Sequence, residues 1–338
     1  MSALSMLGAL LFTAPLAAGS DGVSVLRPVR VIKSDRGTFM SIARASKISS
    51  WLLPRMEGEV YKLADGSSRF DLTLSQQQKD GQPLLFSALT VATNDERMIV
   101  ADVQNGNLIE ADLVTGKPLR ATPERRLFPG AGMAWNGTSW VIAGYINKEF
   151  VVQFREPKEL KVVATYHVPE VDRQRLRRIS YEGSIAASND GTVVVSFYAL
   201  RRAIVLDRNG HETMSLALPI ADEQYVSDAG RVSAPNSTED VLRLWRGRVT
   251  PRSVWFTGDD PSVLLQSPDE PRSVTWCRFS KRDGRLLKTY SLDIPLEPRS
   301  SFKAAIHSEG RKTTLMVVRT WKDVSDWHSS VYEFLVPQ

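Results

Sequence analysis

The residues able to do chemistry in this 338-residue chain are few and scattered. There are 4 histidines (His167, His211, His307 and His328) and 1 cysteine, Cys277. None of the histidines stands in a metal-ligand spacing such as HExxH, and a single thiol makes neither an internal disulfide nor a cysteine metal centre. G-x-S-x-G, P-loop and G-x-G-x-x-G sequences are absent, so no nucleophile elbow or phosphate cradle is announced. What remains is suited to recognition. Arginine doublets and clusters stand at Arg125-Arg126, Arg173–Arg178 and Arg201-Arg202, and arginine at a concave mouth suits carboxylates or phosphates. Acidic residues share these stretches (Glu124, Glu170, Asp172, Asp222 and Glu223), which makes the surface mixed rather than basic.

Positioning such residues requires a scaffold, and the chain repeats one. The stretch Ser87–Thr122 holds four short apolar runs, about 86–92, 97–103, 107–112 and 117–121, separated by Asn94-Asp95, Asn105-Gly106 and Thr115-Gly116. Alternating apolar runs with Asn/Asp-Gly turns between them specify an antiparallel meander. The same grammar recurs at intervals of roughly 45–50 residues. One unit precedes this one (Phe39–Leu74) and two follow it, from Gly132 and from Gly183. A fifth is expected to start near Gly230, with strands Val241–Trp245, Val274–Phe279 and Leu286–Leu292 and an insertion, Arg246–Arg272, between the second and third. The sixth, Phe302–Leu335, lacks a fourth strand, and the unassigned run Val23–Ile32 is expected to supply it. Closure of the ring in this way removes free sheet edges. Pro28 inside that run fits an outermost strand, where a missing N–H faces solvent.

The expected fold class is therefore all-β: a six-bladed β-propeller of four-stranded antiparallel blades, a single domain over 21–338 closed by its N-terminal strand. Two packed β-sandwiches are the other reading; the regular period and the missing last strand argue against it. The small apolar first strands, the Asn-Asp/Asn-Gly turns after them and the Asp-Gly or Asn-Gly turns before the fourth strands resemble the six-bladed propellers of the NHL-repeat and TolB-like kind. The resemblance covers about 23–336. Tandem Gly-His…Trp-Asp signatures of a WD40 ring are absent.

With strands labelled A (innermost) to D, the A–B and C–D turns share one end of the ring, and the B–C and D–A loops share the other. The short turns need Asn, Asp and Gly for backbone reasons alone. The longer D–A and B–C loops are where a rigid scaffold carries binding residues. The candidates for ligand binding are Arg126, Arg178 and Arg202 on these loops, Tyr181, Glu182, Arg231 and His307 at or near the A strands that line the axial channel, and Trp255 and Trp327 as an aromatic contact surface. No catalytic or metal residue is assigned. The resemblance brings in an alternative, since some six-bladed propellers are calcium-dependent lactonases or other hydrolases with Glu, Asn and Asp facing the channel. Glu182 is one matching residue here, without convincing Asn/Asp partners.

Composition narrows the class. Hydrophobic content of 42% and charge of 24% are those of a folded globular chain. The net charge of +5 is mildly basic, without the clustered basic-aromatic module that nucleic-acid binding needs. The apolar run Leu4–Ala18, ending in Ala17-Ala18-Gly19-Ser20, fits a signal peptide or apolar leader over 1–20, although no Lys or Arg precedes it. The run is too short to span a bilayer comfortably, and no second one follows. The expectation is an exported protein, periplasmic or extracellular, that needs no cofactor, has no membrane span in the mature chain, and binds a protein, peptide or small ligand rather than nucleic acid.

Overall fold

A computed structural model describes residues 23–337 apart from 75–77, 80–81, 84, 86, 95, 125, 148, 169–182, 199, 221–248, 268–272, 297–299 and 324–325. The leader, Arg178, Tyr181, Glu182, Arg231 and the expected strand Val241–Trp245 lie outside the described residues.

Six antiparallel sheets follow one another along the chain, each built from strands in consecutive order apart from the contributions of the N-terminus. Blade 2 is the simplest: Ala88–Thr93, Arg97–Asp102, Asn107–Asp112 and Pro118–Pro123. Strand A begins at Ala43, Ala88, Phe128, Gly183, Thr250 and Ser301 in blades 1 to 6.

Burial explains the composition of each strand type. Strands B and C lie between neighbouring blades and are apolar on both faces; Val193–Phe197 is buried at every position. The outer strands alternate, as in Pro118–Pro123, where every second residue is exposed. The hydrophobic core is accordingly divided into six clusters, one between each adjacent pair of blades, including the cluster of Met316, Val318, Trp51 and Leu63 that joins blade 6 to blade 1. Hydroxyl side chains add links between blades near the axis. The Ser184 hydroxyl accepts from Val254 N–H at 3.0 Å, and the Ser253 hydroxyl accepts from Ala304 N–H at 2.9 Å.

The turns require glycine for two separable reasons. Gly66 has φ +73° and open space around it, whereas Gly116 has φ +68° and a Cβ there would stand 1.8 Å from the carbonyl oxygen of Thr73 in blade 1. Gly66→Ala is therefore expected to cost only the left-handed strain, about 1–2 kcal/mol. Gly116→Ala adds a backbone collision between blades and is expected to cost about 1–3 kcal/mol more. Equal losses for both in urea unfolding would show that the blade 1–2 contact yields without penalty.

Two expectations are corrected. Blade 5 has its A and B strands at Thr250–Thr257 and Asp260–Ser267, so Arg246–Arg272 is no insertion but the inner half of the blade. The signal was present: Gly258-Asp259 separates two apolar runs, and Thr257 pairs with Asp260 around it. The extra length of this repeat falls instead between Ala217, the end of the outer strand of blade 4, and Thr250. The N-terminal run is also split between two blades. Ser24–Leu26 adds a fifth strand, parallel, to the outer edge of blade 5, and only Arg30–Lys33 completes blade 6. Pro28 falls in the crossover between them, where neither sheet asks for its missing N–H.

Candidate functional site

The six A strands surround an axial channel of about 730 Å³. Its wall is rich in Ala, Gly and Ser because six strands converge there and large side chains do not fit. The lining extends into the A–B turns, through Asn94, Gly137, Asn189 and Asp259.

At the A–B end, blades 1 and 6 build a polar cluster. Arg44 holds Asp65 with two bonds, 2.5 and 2.7 Å, and its guanidinium carbon lies 4.8 Å from the centre of the Trp51 ring. The Trp51 indole N–H donates to Asp65 at 3.0 Å, and His307 packs edge-on against Trp51 with ring centres 6.4 Å apart. Burial and the Arg44 charge lower the His307 pKa, against the opposing pull of Asp65 and Glu309. The unfolded chain then binds the proton more readily than the folded one. The associated stability is full above the ordinary histidine value of about 6.5 and is lost as pH falls toward the folded pKa. His307→Gln is expected to flatten the fall in melting temperature on going from pH 7 to pH 5; an unchanged slope would mean that His307 does not titrate differently in the fold. Asp65 behaves in the same direction. Burial would raise its pKa, but the hydrogen bonds and charge of Arg44 outweigh it and the net shift is downward.

At the D–A/B–C end the channel is crossed by a basic side chain. Lys303, third residue of strand A in blade 6, reaches past blade 5 and donates from Nζ to the carbonyl of Gly183 in blade 4. Its Nζ is 5.4 Å from the centre of the Tyr198 ring, and the guanidinium carbon of Arg252, third residue of strand A in blade 5, is 4.6 Å from the same ring. Outside the channel, this end also carries a groove of about 430 Å³ between blades 2 and 3. Its wall includes Phe128, Pro129 and Tyr145, with Asn107 and Asn147 among the polar groups, and the exposed Arg126 belongs to it. Asp102 shapes the loop beside the groove by accepting from the backbone N–H groups of Ser87 and Gln104 at 3.1 and 3.2 Å. Glu124 and Arg155 form an ion pair on the blade 3 side.

The sequence candidates separate accordingly. Arg126 lines the groove and His307 lines the channel. Arg202 points outward within blade 4, to Glu212 at 2.6 Å and Ser215 at 3.3 Å. Burial and the same Glu212 carboxylate push the neighbouring Tyr166 phenol up to about 12. Trp255 is no surface residue: it is 2% exposed and packs on Trp276 at 5.6 Å in the core between blades 5 and 6. Trp327 is exposed, with Lys322 5.9 Å from its ring. Trp321 and His328 stack beside it, ring centres 5.4 Å apart. Cys277 is buried, and burial pushes its thiol up to about 12, which leaves it protonated and unreactive in the folded chain.

Sequence reasoning missed Arg44, Arg252, Lys303 and Tyr198. Lys303 was detectable as a lone cation inside the small, apolar strand Phe302–Ile306. Arg252 was hidden by the misread insertion. Among the described residues no group of three or more His, Cys, Asp and Glu side chains could hold a metal ion, and no helix is long and apolar enough to cross a membrane.

No family model matches the chain, and no curated protein matches it. Solved structures do. The chain is similar to one in the structure of Kuenenia stuttgartiensis hydrazine synthase (12% identity, TM-score 0.53, covering 86% of this chain and 78% of that one). It is similar to the structure of U3-55K (11%, TM-score 0.56, 90% and 98%). It is also similar to a chain of the mitotic checkpoint complex (9%, TM-score 0.52, 99% and 99%). The chain is a six-bladed β-propeller. At these identities the likeness extends to the propeller fold alone, and the NHL-repeat or TolB-like subtype is matched by no family model.

Proposed function

We propose that this propeller is an exported, non-enzymatic binding protein that receives a peptide, a protein segment or a small ligand at the D–A/B–C end of the ring. The observation that carries the reading is the groove between blades 2 and 3, of about 430 Å³. Its volume suits a small molecule or one or two side chains, and it combines the apolar wall of Phe128, Pro129 and Tyr145 with an exposed cation, Arg126. The A–B/C–D end is built from short turns in which Asn94, Asp112, Asn136 and Asp207 accept from backbone N–H groups. Export rests on the apolar run Leu4–Ala18 and its small-residue end.

The test places a photo-crosslinking side chain at Arg126 and, as a control on the opposite end, at Gly66. In the native envelope or culture fluid, a discrete adduct from position 126, competed by excess unlabelled protein and absent from position 66, is the expected result. Equal labelling from both positions would overturn the proposed face. Hydrolysis of lactones or esters stimulated by Ca²⁺, and lost in Glu182→Ala, would replace the binding reading with the hydrolase one. N-terminal sequencing of the mature protein, expected to begin near residue 19–21, tests export.

A further inference from the structure

We propose that Lys303, which lines the D–A/B–C end of the axial channel, and Arg252 form an oxyanion site at the Tyr198 ring, which takes the carboxylate or phosphate group of a small solute. Two cations converge there on one aromatic ring, that of Tyr198, which is itself 3% exposed. They come from different blades, so the arrangement is made by ring closure and not by one hairpin.

Neither cation is ion-paired with a carboxylate among the described residues. That sets them apart from four other arginines of the ring. Arg30 has Glu333 at 2.6 Å, Arg202 has Glu212 at 2.6 Å, Arg278 has Asp260 at 2.7 Å, and Arg155 has Glu124. The Nε of Arg252 is buried with no hydrogen-bond partner. An unmet donor on a buried charged group is costly, and a guanidinium carries five donors in a planar fork that matches two carboxylate or phosphate oxygens. Lys303 has three donors, of which the Gly183 carbonyl occupies one. The Tyr198 ring offsets part of each charge through its electron-rich face, but it adds no negative charge, and two like charges on one ring repel. An oxyanion bound between them would accept from both and remove the repulsion. The nearby hydroxyls of Ser184 and Ser253 already link strands A of blades 4, 5 and 6, which holds the two cations in register.

The site is separate from the groove between blades 2 and 3 and does not depend on Arg126. Titration calorimetry on the full chain, with succinate and with inorganic phosphate at constant ionic strength, decides it. The expected result is saturable binding of at least one of the two anions, weakened at least tenfold by Lys303→Met and by Arg252→Met, retained by Lys303→Arg, and unchanged by Arg126→Ala. Melting curves establish that each variant is folded; where a methionine variant is not, Lys303→Gln and Arg252→Lys replace it, the latter keeping the charge but losing the fork. Absence of binding by both anions, or equal affinity in the wild type and the Lys303 and Arg252 variants, overturns the proposal. Loss of binding in Arg126→Ala alone would place the anion in the groove instead, and also overturns it.

Discussion

A chain that begins at residue 34 is expected to lose its folded ring. The segment before it carries two strands that act on different blades. Arg30–Lys33 pairs with Ser330–Glu333 and completes blade 6. Arg30 also donates to the Ser67 carbonyl at 2.8 Å, which ties the closing strand to the first blade, and it pairs with Glu333. Ile32 is 5% exposed and belongs to the cluster between blades 6 and 1. Upstream, Ser24–Leu26 lies parallel on Tyr290–Leu292, and Leu26, 8% exposed, enters the core of blades 5 and 6. Re-exposing two such aliphatic side chains costs about 1.5–3 kcal/mol each, and the lost strand pairing adds about 0.5–1.5 kcal/mol per hydrogen bond. The total is on the order of a whole domain's stability, about 5–15 kcal/mol. The strand left at the edge, Trp327–Leu335, would also offer unpaired backbone to other molecules. Thermal melting and size-exclusion chromatography are expected to show loss of the cooperative transition, or a fall in Tm of more than about 10 °C with association. A shorter truncation, beginning at residue 29, removes only the strand on blade 5 and should lie between this variant and the full chain. A monomeric chain from residue 34 with an unchanged Tm would refute the closure argument.

Trp255→Ala is the second large effect. The indole is buried, donates from Nε1 to the Thr257 hydroxyl at 3.2 Å, and touches Trp276, which in turn stacks on Tyr290 with ring centres 4.5 Å apart. Truncation removes one end of a three-ring aromatic cluster in the core between blades 5 and 6 and leaves a cavity, at about 3–5 kcal/mol. Trp327→Ala, by contrast, removes a side chain that is 49% exposed at the start of an outer-half strand, and its effect on stability should stay within about 0.5 kcal/mol. Urea unfolding of the two variants separates core from surface. A near-neutral Trp255→Ala would restore that residue to the contact surface on which the sequence pattern alone placed it.

The different fates of these two tryptophans show where sequence reading ends. Both sit in stretches rich in polar and turn-forming residues, and neither stretch shows on its own whether a strand is inner or outer. Periodicity exposed the meander grammar well in blades 2, 3 and 4, because Asn-Gly and Asp-Gly turns stand between apolar runs of even length. It failed in blade 5, where the run Thr250–Thr257 opens with a proline and an arginine at its second and third positions. The count of blades was right, whereas the strands differ in number and place: the N-terminal run gives two strands, and blade 5 has five. A missing last strand correctly required the N-terminus to close the ring, but Val23–Ile32 contains two short pairings with a crossover at Pro28, and only the positions of blades 5 and 6 decide which residues go to which edge.

The sequence by itself determined the number of blades, the antiparallel order within them, the closure by the N-terminus and the end of the ring that carries the long loops. All of these follow from local turn chemistry and the two-residue alternation of strands, which neighbouring residues specify. The tertiary structure alone decided which side chains meet. Lys303, Arg252 and Tyr198 are separated by tens of residues and belong to blades 6, 5 and 4, and they face one ring only because six strands converge on an axis. Arg44 and His307 lie at opposite ends of the chain and share Trp51 because blade 6 closes on blade 1. Encounters of that kind depend on the sum of six inter-blade rotations, and no local pattern encodes that sum.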